Sequence, residues 1–109
     1  MIRAAIICTL ALGGLAGCSD PDKAILFDGM SFKGRLKADK EDKRSFVATA
    51  APVSQGLDGA REAARYEGTT YCVRKYGRSE INWVASPGAK ATALNIVEDT
   101  LTVQGRCAE

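Results

Sequence analysis

Small residues recur at every fourth position in the middle of the chain, and this spacing constrains the fold more than any other feature. The recurring positions are Gly56, Ala60, Ala64, Gly68, Cys72 and Tyr76. A four-residue repeat places side chains on one side of an α-helix, so the segment predicts a helix with a narrow face that packs closely on its neighbour. Gly77 is typical of the residue that follows a helix C-terminus. At the other end, Ser54 and Asp58 are alternative N-cap residues.

Alternation of apolar and polar residues predicts strands on both sides of this helix. Before it, residues 30–38 and 46–50 alternate around a charged turn and predict a β-hairpin. After it, residues 80–85 and 100–107 alternate in the same way, separated by a loop with a short apolar patch. The order β-β-α-β-β predicts an α+β fold, in which one helix packs on a four-stranded, mainly antiparallel sheet.

The N-terminus has the layout of an export signal. Arg3 supplies one positive charge, residues 4–12 are apolar except for Thr9, and small residues follow. The uncharged stretch over residues 4–19 is shorter than the roughly 20 apolar residues that a membrane-spanning helix needs. We therefore expect a cleaved leader rather than a permanent transmembrane anchor.

The quartet Leu15-Ala16-Gly17-Cys18 resembles the lipobox of bacterial lipoprotein precursors. The resemblance implies that residues 1–17 are a signal peptide and that Cys18 is lipidated, with palmitate among the expected acyl groups. Residues 18–24 are then a lipidated tether, and residues 25–109 are a small α+β domain. An ordinary secretory leader with a chance cysteine is the alternative.

The resemblance also implies a location. In its general pattern the domain is similar to small uncharacterised envelope lipoproteins of Gram-negative bacteria. In the lipoproteins of enteric bacteria that this chain resembles, an aspartate directly after the lipidated cysteine is associated with retention in the inner membrane. This chain has Ser19 at that position. We therefore expect lipid anchoring in the outer membrane, with the domain facing the periplasm.

Two cysteines of the domain are placed to pair in such an oxidising compartment. Cys72 is on the small-residue face of the helix, and Cys107 is at one of the alternate positions of the last strand that are predicted to face inward. If the last strand runs antiparallel to the 80–85 strand, its end lies near the C-terminus of the helix. We expect one disulfide, between Cys72 and Cys107, and a structural role for it because no C-x-x-C spacing is present.

The residue types present argue against an enzyme. The sequence contains no histidine, which removes the commonest general base and the commonest metal ligand. The acid pairs Glu41-Asp42 and Glu98-Asp99 lie in predicted turns and are interpreted as surface acids. We predict a non-catalytic protein without a cofactor or a metal site. The net charge of +2 falls to +1 when Arg3 is removed, so nucleic acid is not an expected partner.

The sheet face that the helix leaves uncovered is the candidate binding surface, because one helix covers only one face of such a sheet. The favoured positions on it are Lys33, Arg35, Lys37, Asn82 and Gln104. Lys40, Lys43 and Arg44 extend the positive charge into the turn of the hairpin. The alternative is a solvated strand face whose lysines discourage edge-to-edge pairing.

Two kinds of partner follow from these expectations. Acylated Cys18 would bind membrane lipid, and the uncovered face would bind an envelope protein or glycan. The function expected is a membrane-anchored binding or envelope-assembly module. A small inhibitor or envelope-stress sensor that acts through partner exchange is the alternative.

Overall fold

An α+β architecture is formed by residues 25–109, which are the residues that the computed structural model describes. The strands are β1 (Leu26–Phe27), β2 (Met30–Ser31), β3 (Lys33–Ala38), β4 (Ser45–Ala51), β5 (Ile81–Ala85), β6 (Asn95–Val97) and β7 (Thr100–Cys107). Helix α1 (Leu57–Tyr76) connects β4 to β5, and short 3-10 helices occur at Val53–Gln55 and Ala91–Ala93. The predicted signal peptide, Cys18 and the tether lie outside the described residues.

The main sheet has the order β3-β4-β7-β5, and every neighbouring pair is antiparallel. On one side β7 pairs with β4. On the other it pairs with β5 along its C-terminal half and with β6 along its N-terminal half. The predicted packing of one helix on a mainly antiparallel sheet is confirmed, and the sheet contains five strands rather than four.

The first predicted strand is divided in the structure. Its first residues form β2, which pairs with β1 across a turn at Asp28-Gly29, and only β3 joins the main sheet. Both turn residues have positive φ, 54° and 78°, the geometry that Asp-Gly favours in a two-residue hairpin. Met30, the first apolar residue of the alternating stretch 30–38, is therefore 39% exposed on this small hairpin.

Strand β6 was predicted as part of a loop. It forms because β7 is eight residues long and β5 only five, which leaves part of one edge of β7 without a partner. Asn95 lies opposite Thr102, and Ile96 lies opposite Leu101. Pairing with β6 satisfies backbone groups that would otherwise need water.

The core lies between α1 and the sheet, where the small residues of the helix face β4 and β7. Ala60, Ala64, Gly68 and Cys72 are buried, as the four-residue spacing predicted. A Cβ atom on Gly68 would lie only 2.8 Å from ring atoms of Phe46, so the absence of a side chain sets how closely the helix approaches. Phe46 in turn packs edge-on against Trp83, with the ring centroids 5.7 Å apart.

The ends of α1 are set by glycines. Gly77 adopts the left-handed conformation after the last turn, and its N–H donates to the Val73 carbonyl, as the sequence predicted. At the N-terminus the capping residue is Gly56, so no side-chain hydrogen bond caps this end of the helix. Neither alternative N-cap is correct: Asp58 lies inside the helix, and the Ser54 hydroxyl donates to the Asp99 carboxylate at 2.7 Å.

The predicted disulfide is present. Cys72 and Cys107 are bonded, with their Cα atoms 5.5 Å apart, and both residues are buried. Ile81 pairs with Cys107 at the start of β5, so the antiparallel pairing brings the end of β7 to the last turns of α1. The bond therefore joins the helix to the central strand of the sheet.

Candidate binding face

The candidate site begins with three cations at alternate positions of β3. Lys33, Arg35 and Lys37 are exposed, whereas the intervening Gly34, Leu36 and Ala38 are partly buried on the side of α1. The three cations are called the basic row below. Because side chains alternate between the two faces of a strand, the basic row lies on the face opposite α1, which is called the open face.

The basic row carries uncompensated charge. None of its three side chains takes part in a salt bridge among residues 25–109. The open-face residues opposite it on β4 are uncharged, since Arg35 pairs with Thr49 and Lys37 pairs with Val47. The row therefore presents positive charge to solvent along one edge of the sheet.

The remaining predicted positions are spread across the sheet. Gln104 lies opposite Val47, so Lys37, Val47 and Gln104 form one line across β3, β4 and β7. Asn82 belongs to β5 and lies opposite Arg106 of β7. It is therefore at the edge of the sheet that is farthest from the basic row. Neighbouring strands are about 4.8 Å apart, which places Asn82 three strand spacings, about 14 Å, from β3. The structure thus groups the three cations with Gln104, and Asn82 lies apart from them.

The other basic residue of the open face is neutralised. The Arg106 side chain donates to the Asp42 carboxylate at 2.8 Å and to Glu109 at 2.9 Å. The hydrogen bond from Arg106, followed by one from the Ser45 hydroxyl, holds the pKa of Asp42 below its ordinary value. Hydrogen bonds to Asp42 and, to a smaller extent, to Glu109 raise the pKa of Arg106. Positive charge on the open face is therefore concentrated at β3.

The prediction that Arg44 adds to the positive surface is wrong. Its guanidinium lies 4.0 Å from the centre of the Tyr76 ring and donates to the Ala108 carbonyl at 2.8 Å. Stacking on the ring and bonding to the C-terminal backbone turn this side chain away from the open face. Arg44 thus connects the hairpin to α1 and the end of the chain.

A shallow depression of about 400 Å³ lies where the open face meets the hairpin turn. Lys37, Val47 and Gln104 form its wall on the sheet, and Asp39, Lys40 and Glu41 form its rim in the turn. The wall offers one cation, one amide and one apolar side chain, and Val47 is 38% exposed. This chemistry suits contact with a partner surface.

One member of each acid pair considered from the sequence makes structural contacts. Asp42 is held by Arg106 and Ser45, as described above. Asp99 accepts hydrogen bonds from the backbone N–H and the hydroxyl of Ser54. Both carboxylates thus connect distant parts of the chain.

A second surface was missed in the sequence. Two adjoining hollows, of about 410 and 290 Å³, run between β3 and α1 and share Tyr66 and Glu67 in their linings. The sequence places Tyr71 beside the small-residue face of the helix and Tyr66 away from it, which is a weak signal for a groove. The position of β3 at the edge of the sheet decides that the space beside it stays open.

Comparison with known protein families, with curated proteins and with solved structures finds no match to this chain. Within residues 25–109, no group of three or more acidic or cysteine side chains is close enough together to hold a metal ion. No helix in the same part of the chain combines the length and apolar character needed to cross a membrane.

Proposed function

We propose that this chain is a lipid-anchored, non-catalytic binding module of the bacterial cell envelope. Its domain would face the periplasm from the outer membrane and bind a negatively charged envelope protein or glycan through the open face. The observation that carries the proposal is the basic row, three exposed cations that have no salt-bridge partner among residues 25–109 and lie on the sheet face opposite the helix.

The charge distribution supports binding at this face. Elsewhere in the domain, Arg44, Arg61 and Arg106 are occupied by contacts within the protein. In the described part of the chain the cations of the basic row form no salt bridge, although acidic residues are available in the adjoining turn. Unpaired charges on one surface attract an oppositely charged partner and increase its rate of association.

The disulfide supports a location outside the cytoplasm. Disulfides persist in oxidising compartments such as the bacterial periplasm and are rare where thiols are kept reduced. The bond between Cys72 and Cys107 agrees with export of the chain. Export and lipidation rest on the likeness of Leu15-Ala16-Gly17-Cys18 to a lipobox.

The anchor is tested by Cys18→Ala in the full chain. The variant is expected to lose incorporation of labelled fatty acid and to keep residues 1–17, because the thiol is the acceptor of the lipid. Cys8→Ala is the matched control and should leave labelling and cleavage unchanged. Normal labelling or normal cleavage of the Cys18 variant would contradict the proposal.

Binding at the open face is tested by site-specific crosslinking in intact cells. A photoreactive residue at Thr49, beside Arg35, is expected to capture a partner, and one at the exposed Glu62 of α1 is the control. The double variant Lys33→Glu, Arg35→Glu should abolish capture from position 49, and Lys90→Glu should not. Equal capture from both positions, or capture that resists charge reversal, would contradict binding at this face.

A further inference from the structure

The outer edge of β3 offers a row of backbone groups that have no partner among residues 25–109. Asp39 donates its N–H to the Ser45 carbonyl, which marks these two residues as a hydrogen-bonded pair at the end of the hairpin. Hydrogen-bonded and non-hydrogen-bonded pairs alternate along antiparallel strands. Lys37, Arg35 and Lys33 are therefore bonded to β4, and the backbone groups of Gly34, Leu36 and Ala38 point away from the sheet.

These outward groups are not satisfied by other parts of the domain. Within residues 25–109, no turn, loop or side chain donates to or accepts from the backbone of Gly34, Leu36 or Ala38. β1 and β2 pair with each other and not with β3. The edge is six residues long, long enough for an additional strand of ordinary length.

A groove follows the same edge on the side of α1. Leu36 forms part of its floor, Tyr66 and Tyr71 line its wall, and Phe27 and Phe32 border one end. Glu67 lies over Gly34, where an added Cβ would meet the Glu67 carboxylate at 2.7 Å. The groove thus presents Leu36 and the tyrosine rings beside the middle of β3 and the Glu67 carboxylate beside Gly34. Arg74 and Lys75 of the last helical turn complete its lining.

The groove on one side of β3 and the open face on the other determine which side chains would suit an added strand. Residues of such a strand alternate between the two faces, as those of β3 do. One set would enter the groove beside Leu36 and Tyr71, and the other set would lie on the open face beside Arg35 and Lys37. Apolar residues suit the first environment, and carboxylates suit the second.

From these observations we infer that the edge of β3 binds an extended peptide segment of a partner protein, in which acidic and apolar residues alternate, by strand addition. The inference rests on the proposed function and names its partner as an acidic peptide. Main-chain hydrogen bonds to Gly34, Leu36 and Ala38 would hold the segment. The alternating side chains would give specificity.

A second copy of this chain is a poor occupant of the same edge. Antiparallel pairing of β3 with its own copy would bring basic rows together on one face. Like charges at opposed positions of neighbouring strands destabilise the pairing. The lysines that prevent self-association would, by the same electrostatics, attract an acidic strand.

The test uses the full-length chain, isotope-labelled and held in detergent micelles. The ligands are blocked peptides of about eight residues, an ordinary strand length that covers the six-residue edge. The first peptide alternates glutamate and valine, the second alternates lysine and valine, and the third has the glutamates and valines in separate blocks. Amide hydrogen exchange should slow at Gly34, Leu36 and Ala38 with the first peptide only. Affinity for this peptide should fall as salt is raised.

Two variants test separately how the charge of the basic row and the outward backbone hydrogen bonds contribute to peptide binding. Arg35→Glu is expected to weaken binding of the alternating acidic peptide about tenfold, and Lys90→Glu, the same charge change in a distant loop, should leave it unchanged. Ala38→Pro removes an outward N–H and keeps the bonds of β3 to β4, so it should abolish strand addition. Far-ultraviolet circular dichroism of each variant verifies folding.

Several outcomes would overturn the inference. Peptide-induced shifts at Thr49 and Gln104 without slowed exchange along β3 would place the peptide across the open face, which refutes strand addition but supports the proposed function. Absence of binding by every peptide, with crosslinking from position 49 intact, would refute this partner class alone. Slowed exchange that depends on protein concentration without peptide would identify a second copy as the occupant.

Discussion

Gly68 shows how a single residue determines the distance between helix and sheet. It lies on the small-residue face of α1, against the rings of Phe46 and Trp83. An alanine would be the better helix former by about 1 kcal/mol, so propensity alone would favour the substitution. Packing opposes it, because the ring of Phe46 has no open space to move into within a filled core.

Gly68→Ala is therefore expected to lower the free energy of unfolding by about 1 to 3 kcal/mol, since the added Cβ would lie 2.8 Å from Phe46. Urea denaturation followed by circular dichroism measures the change. Gly88→Ala is the matched control, because a Cβ there would make only ordinary contacts at 3.5 Å. A stabilised Gly68 variant would show that the helix can move away from the sheet without cost.

Asp42 connects the stability of the fold to pH. Its pKa is lowered in the folded state, mainly by the hydrogen bond from Arg106. A carboxyl group with a lowered pKa contributes stability that is present above its unfolded-state pKa of about 4 and is lost as pH falls through the folded-state pKa. The contribution is thus complete at neutral pH and decreases in acid.

The variant Asp42→Asn should lack this contribution. The difference in unfolding free energy between the native chain and the variant is expected to be largest near pH 7 and to shrink below about pH 4. Urea titrations at a series of pH values measure it. Glu41→Gln removes a neighbouring carboxylate that makes no salt bridge in the described domain, and it serves as the control. A difference that grows in acid would contradict the assignment.

Among the elements, the turn between β6 and β7 fixes the segment before α1. Asp99 has a positive φ of 59°, and its carboxylate accepts hydrogen bonds from the Ser54 N–H at 2.8 Å and the Ser54 hydroxyl at 2.7 Å. Its backbone carbonyl also accepts from the Val53 N–H. One turn residue thus orients the 3-10 helix that leads into α1.

Asp99→Gly is expected to lower the free energy of unfolding by about 1 kcal/mol, because it removes the bonds to Ser54 while glycine accepts the left-handed conformation. Glu98→Gly is a close control, since Glu98 also has positive φ and its side chain makes no hydrogen bond among residues 25–109. Thermal unfolding of both variants gives the comparison. Equal losses of stability in the two variants would show that the effect comes from the backbone entropy of glycine and not from the hydrogen bonds to Ser54.

Local patterns predicted the elements better than their ends and partners. The four-residue spacing predicted the buried face of α1, and the alternation in β4 and β7 predicted which of their residues face it. The division of the first strand was missed because Asp28-Gly29 favours a small hairpin that competes with the longer alternation. β6 was missed because its pairing depends on the unpaired edge of β7.

For the whole molecule, the disulfide is the main covalent constraint. It closes a segment of 35 residues between α1 and β7. In the chain-entropy account, a loop of this length stabilises the folded state by roughly 3 to 4 kcal/mol. A domain of this size has a small core, so such a contribution is a large part of its total stability.

The double variant Cys72→Ala, Cys107→Ala should therefore lower the free energy of unfolding by roughly 3 to 4 kcal/mol, measured by urea denaturation. The native chain under reducing conditions should shift in the same direction, and the double variant should not respond to reductant. The double variant Lys33→Glu, Arg35→Glu, on the open face, should change stability by no more than about 0.5 kcal/mol. A loss of stability from reductant in the double cysteine variant would contradict a structural role for this bond.

The sequence by itself determined the helix and the inward-facing positions of most strands, because each depends on a period that is visible within one segment. It also predicted the disulfide, because Cys72 and Cys107 are the two cysteines of the domain and both fall on inward-facing positions. The same period placed Lys33, Arg35 and Lys37 on one face. Only the tertiary structure decided that β3 lies at an edge, with a groove beside it, and that Asp42 neutralises Arg106, 64 residues away. Strand order and ion pairing join distant segments, and local spacing contains no information about which segments meet.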